Sequence, residues 1–158
     1  MEPRLNAYKV APGLYPSLVN LQKYIDSCGL DRKLLELVRM RSSQINGCAF
    51  CLDMHTKDAR AIGETEQRLY LISAWRESPF YTDRERAALE WTEAVTLVSE
   101  SNVPDEVYER VKQHFTPAEL VNLTAAIAMI NTWNRLSVAF RAVPGEYQSN
   151  LQPLRQGA

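Results

Sequence analysis

The chain has 158 residues, 46% of them apolar and 23% charged, with a formal net charge of −1. That length suits a single domain with a sizeable core, and the interleaved, near-neutral charge offers no basic face for nucleic acid. No window approaches the roughly 18 consecutive apolar residues of a membrane span, and the opening MEPRLNAYKV lacks the apolar core of a secretory signal, so a cytoplasmic protein without a membrane partner is expected.

Residues 1–16, punctuated by Pro3, Pro12, Gly13 and Pro16, read as an extended arm. Leu18, Leu21, Tyr24 and Ile25 recur at helical spacing and predict a first helix over 17–28, closed by Gly29. Asp31 is placed to cap a second helix over 34–44, where Ser42 and Ser43 would let a neighbouring helix come close. Asn46-Gly47 is a turn signal, and the third helix, over 48–62, ends at Gly63. A fourth is expected over 64–77, stopped near Pro79. Thr82-x-x-Glu85 is a capping box for a helix over 83–100, and Pro104 sits at the first position of another over 104–114. Thr116-Pro117-x-Glu119 opens the longest apolar run, to about residue 142. Pro144-Gly145 ends it, leaving a polar tail over 146–158 that is expected to fray or to be pinned by a partner. No stretch alternates as a strand does, so the expected fold is all-α, one domain over 1–158.

There is one internal echo. Glu36-Leu-Val and Cys48-x-x-Cys51 superpose, at a constant offset, on Glu119-Leu-Val and Asn131-x-x-Asn134. A degenerate duplication, giving two related helical hairpins, and chance matching of amphipathic helices account for it about equally well.

Chemistry concentrates between Glu36 and His55. Cys48 and Cys51 stand at i, i+3 and His55 at i+4 from Cys51, so one helix face carries all three, together with Leu52, Ala59 and Ile62. Asp53, Lys57 and Arg60 fall on the opposite, wet side. A CxxC pair in a reducing compartment is redox-active or metal-binding more often than structural. Redox work needs a thiolate, hence a lowered cysteine pKa. The first turn of a helix would stabilise an anion at Cys48, whereas His55 could take the proton of Cys51. Spacing alone leaves open which sulfur attacks. Glu36, one helix upstream, is a candidate to orient His55. Cys48, Cys51, His55 and Glu36 would also make four zinc ligands, but structural zinc sites draw pairs from separate segments and no second CxxC occurs. Cys28 reads as a small core residue, and His114 as a residue favoured by the end of its helix. Trp75, Trp91 and Trp133 read as core or subunit-interface anchors in preference to a substrate cage.

The pattern E-x11-C-x2-C-x3-H, here Glu36, Cys48, Cys51 and His55, resembles the core motif of the AhpD-like alkylhydroperoxidase branch of the carboxymuconolactone decarboxylase superfamily. The resemblance is strongest over residues 34–62. It implies a helical subunit that assembles as a homo-oligomer, trimer or hexamer, and reduces organic hydroperoxides or hydrogen peroxide. It implies no bound cofactor but an external dithiol reductant, a lipoylated protein in the best-known case. Carried across by position, Cys51 resembles the attacking cysteine, Cys48 the proton donor and resolving thiol, and Glu36 and His55 the proton relay. One departure stands out: the fuller motif has a second histidine where this chain has Phe50, so one relay station is missing. The expectation is an antioxidant, thiol-dependent hydroperoxide reductase. Phe50 shifts weight toward the alternative of a non-catalytic redox-sensing or assembly module. A decarboxylase-type enzyme is the remaining alternative, and the paired cysteines argue against it because that branch does not depend on a CxxC.

Overall fold

Nine of the fourteen residues from Arg32 to Ile45 are buried, more than one apolar stripe can account for. In the computed structural model, which describes residues 2–153, this segment is the helix the others pack around. The helices are α1 (Ala7–Val10), α2 (Leu14–Ser27), α3 (Arg32–Ile45), α4 (Ala49–Ala61), α5 (Glu66–Leu71) with a 3-10 turn at Ile72–Ala74, α6 (Asp83–Thr96), α7 (Val98–Ser101), α8 (Asp105–Val111) and α9 (Pro117–Phe140). Among the described residues there is no strand, and no helix is long and apolar enough to cross a membrane. The all-α expectation holds.

Helix α3 lies against α4, α6 and α9. One apolar cluster, including Ile25, Leu35, Trp91, Val111 and Ile127, joins it to α2, α6, α8 and α9. A second, including Leu37, Leu69, Ile72, Trp75 and Leu89, joins it to α5, the 3-10 turn and α6. Ser42 and Ser43 are fully buried, the small residues that allow close approach. Behind the α3–α4 turn lies a polar network. Asn46 Nδ2 donates to Oδ1 of both Asn131 and Asn134 at 2.9 Å, and Asn134 Nδ2 donates to Ser43 Oγ at 3.0 Å. The amide of Asn131 continues it to Thr96 Oγ1 at 3.2 Å. Buried amides are stable only when so paired, and this set fixes the turn that presents Cys48.

Several boundaries move, each for a local reason. The arm is not wholly extended: Asn6 Oδ1 accepts from the Lys9 N–H and caps α1. Helix α2 begins at Leu14, since Pro16 falls in its first turn, where a missing N–H costs no helical bond. The fourth helix is shorter than expected because Thr65 caps it late. It then tightens into 3-10 geometry, which stacks the i, i+3 residues Leu69, Ile72 and Trp75 into one buried row. The run over 83–100 breaks at Leu97 into α6 and α7. Pro104 caps α8 and is not its first residue. Both capping boxes form, at Thr82/Glu85 and Thr116/Glu119. The internal echo does not give two hairpins: its second half, Glu119 to Asn134, lies on the single continuous helix α9, and Glu119 belongs to that helix's capping box. Cys28 is half-buried against the first cluster, and His114 follows α8 with its carbonyl accepting from Arg84. The tail is pinned by its own chain at residues 145–147, and its last five residues lie outside those described.

Asn134→Ala should therefore lower unfolding stability by about 1–3 kcal/mol, the cost of orphaned buried polar groups. Asn122→Ala, which removes an exposed acceptor of Tyr24, should change it far less. Chemical denaturation of the two variants checks the difference.

Candidate active site

Gly47, with a φ of +63°, turns the chain between α3 and α4 in a conformation suited to glycine. Cys48 then becomes the N-cap of α4, its Sγ accepting from the Cys51 N–H at 3.3 Å. The two sulfurs are joined as a disulfide, with Cα atoms 5.4 Å apart. That spacing is what consecutive turns of a helix supply. Both cysteines are about 1% exposed and pack on Ile130 of α9. Of the two, Cys51 lines a cavity of about 400 Å³, whose wall also includes Phe50, Met54, His55, Trp133 and Tyr147. A second cavity of about 310 Å³ abuts it and shares Tyr8, Phe50 and Ser137.

His55 lies one turn beyond Cys51 and is buried. Its Nδ1 is 2.8 Å from Glu36 Oε2, and Arg39 Nη1 donates to the other carboxylate oxygen at 2.6 Å. Arg39 also pairs with Asp26 of α2, which is partly open to solvent. Burial alone would raise the Glu36 carboxyl, but the charges and hydrogen bonds of His55 and Arg39 outweigh it and hold it down to about 2. An ionised Glu36 can only accept, so His55 donates through Nδ1–H. This leaves His55 Nε2 buried with no protein partner among the described residues. Glu36, His55 and Asp58 can each offer a ligand atom within 4.8 Å of the others. Both Glu36 oxygens already accept hydrogen bonds, from Arg39 and from His55, so a cation there would compete with those two groups for the carboxylate.

Glu36, Cys48, Cys51 and His55 thus come together as one site. The sequence did not point to Arg39, Asp58 or Tyr147. Arg39 had a signal in its position at i+3 from Glu36 on a helix buried nearly all round. Asp58 stands likewise at i+3 from His55. Tyr147 is placed by tertiary structure alone. Trp133 corrects the expectation for the tryptophans: Trp75 and Trp91 are core, but Trp133 is half-buried on the cavity wall, 6.1 Å edge-on from Tyr15, with Nε1 donating to Gln22. Phe50 supplies the cavity with an aromatic surface in place of an imidazole.

Residues 12–94 match the model of the carboxymuconolactone decarboxylase family. The chain is 46% identical over 139 residues to YdfG, an uncharacterized Bacillus subtilis protein, covering 88% of this chain and 95% of that one. It superposes with a TM-score of 0.89 and 44% identity on the crystal structure of an Agrobacterium tumefaciens protein of unknown function for which an AhpD antioxidant defence role has been suggested, over 92% of this chain and all of that one. A debrominase shares the fold at a TM-score of 0.77 and 23% identity, over 85% of this chain and 73% of that one. With more than half its length matched by the family model and a nearly full-length relative at that identity, the chain belongs to the carboxymuconolactone decarboxylase family.

Proposed function

We propose that this protein is a thiol-dependent hydroperoxide reductase, an AhpD-like antioxidant peroxidase. The observation that carries the reading is that Cys51 faces a cavity while bonded to Cys48, with His55 on the same wall and fixed by an ionised Glu36. In the reduced enzyme His55 takes the proton of Cys51, and the thiolate attacks the terminal peroxide oxygen. Cys48 then displaces the sulfenic hydroxyl as water and closes the disulfide. An external dithiol, a lipoylated protein by resemblance, reopens it by exchange. The two activating devices divide the labour. The cavity side of the disulfide is Cys51, so an incoming thiolate meets it first. Cys48, held at the start of α4 where backbone N–H groups and the helix dipole favour an anion, is the better leaving group. Assembly as a homo-oligomer belongs to the same proposal. Phe50 favours one competing reading, a redox-sensing module that forms the same disulfide without turnover.

Sustained hydroperoxide consumption with a dithiol donor decides between them. Cys51→Ser should abolish it, by at least about 100-fold, and Cys48→Ser, treated with hydroperoxide before any dithiol is added, should consume about one equivalent and then stop. Wild-type turnover no better than that of Cys51→Ser would overturn the peroxidase reading and favour the sensing module.

Glu36→Gln should slow the reaction by about 10- to 100-fold, as loss of a group that orients the base. The same variant should lose about 3 kcal/mol of stability, because Arg39 keeps a buried charge with one partner fewer. The sign with pH follows. The carboxyl is held at about 2 in the fold against its ordinary 4.5, so its contribution is complete above pH 4.5 and fades as pH falls toward 2. Unfolding measured across that window should show a weaker acid dependence for Glu36→Gln than for wild type.

A further inference from the structure

The cavity has a second polar corner that the chemistry above leaves idle. Residues 145–147 return across α4 as a strap. Lys57 Nζ donates to the carbonyls of Gly145 at 3.2 Å and Tyr147 at 3.0 Å, and the Gly145 N–H donates to Asp53 Oδ2 at 3.0 Å. The strap sets Tyr147 in the cavity wall, where its phenol donates to Asp58 Oδ1 at 2.8 Å. Asp58 is buried and belongs to the same close group as Glu36 and His55. Burial, together with the hydrogen bond and charge of Asp58, pushes the phenol up to about 12, so at neutral pH it keeps a proton that it can give as an acid. Tyr147 also lies outside the 12–94 segment matched by the family model.

An alkoxide is too basic to depart freely, so a proton must reach it as the O–O bond breaks. Phe50 has none to give, and Cys48, the proton donor that the resemblance implies, is buried and does not line the cavity. We propose that Tyr147 is the catalytic residue that protonates the departing oxygen when Cys51 attacks a hydroperoxide.

The inference rests on the peroxidase reading and completes its proton balance. His55 takes the thiol proton of Cys51, and the sulfur bonds to the terminal oxygen while the O–O bond breaks, losing two electrons to the peroxide. The departing RO⁻ takes the proton of the Tyr147 hydroxyl. A phenolate beside the Asp58 carboxylate is electrostatically unfavourable, and the His55 imidazolium, which is grouped closely with Asp58, returns its proton to the phenolate. The sum is Cys51–SH and ROOH giving Cys51–SOH and ROH.

The test exploits the leaving group. Tyr147→Phe removes one hydroxyl, and its reaction is followed with cumene hydroperoxide, whose alkoxide needs a proton, and with perbenzoic acid, whose carboxylate does not. The expected result is a fall in kcat/KM of about 100-fold with the hydroperoxide and a rate close to wild type with the peroxy acid. The peroxy acid reaction is also the folding control, since it needs Cys51 and an intact cavity. An equal loss with both oxidants would reduce the strap to a wall and overturn the proposal, as would no loss with either. Wild type inert to both would overturn the peroxidase reading, and this inference with it.

Discussion

A carboxylate buried to 2% exposure costs several kcal/mol unless its charge is answered, and the architecture around Glu36 is arranged to answer it. Arg39, on the same face of α3, takes one oxygen and His55, from α4, takes the other. Arg39 in turn reaches Asp26 on α2. Three helices are therefore held in register by a single chain of charges that begins at a partly solvated acid and ends at the imidazole beside Cys51. The same contacts that hold α2, α3 and α4 together also fix which nitrogen of His55 carries a proton. The packing of three helices and the orientation of His55 depend on one compensated charge.

The polar network behind the CxxC turn plays a complementary part. Asn46, Asn131, Asn134, Ser43 and Thr96 satisfy one another at the junction of α3, α6 and α9. Hydrogen bonds between side chains impose direction, which apolar packing does not. The turn at Asn46-Gly47 is thus aimed as well as buried, and the two sulfurs inherit that aim.

Most of the fold was legible because its signals are local. Asp31, Thr82, Thr116, Gly29 and Gly63 mark helix ends by hydrogen bonds or backbone conformations spanning only a few residues. The Cys48, Cys51 and His55 face was legible for the same reason, since a single helical period places all three. What escaped has a common cause in tertiary context. Tyr147 meets Asp58 across 89 residues of sequence, and no spacing rule connects them. Trp133 has the pattern of a core residue on α9 and is drawn to the cavity wall only because Tyr15 and Gln22 of α2 face it. The 3-10 turn at Ile72 obeys a period of three that a search for helical periods of 3.6 passes over.

The disulfide between Cys48 and Cys51 closes a loop of only a few residues, and its Cα separation of 5.4 Å matches ordinary helical neighbours. So short a tether removes comparatively little freedom from the unfolded chain, and neither sulfur has to travel to meet the other. The dithiol and disulfide forms can therefore share one backbone and differ little in their resistance to unfolding. Passage between the two forms would not require the bundle to be taken apart or rebuilt.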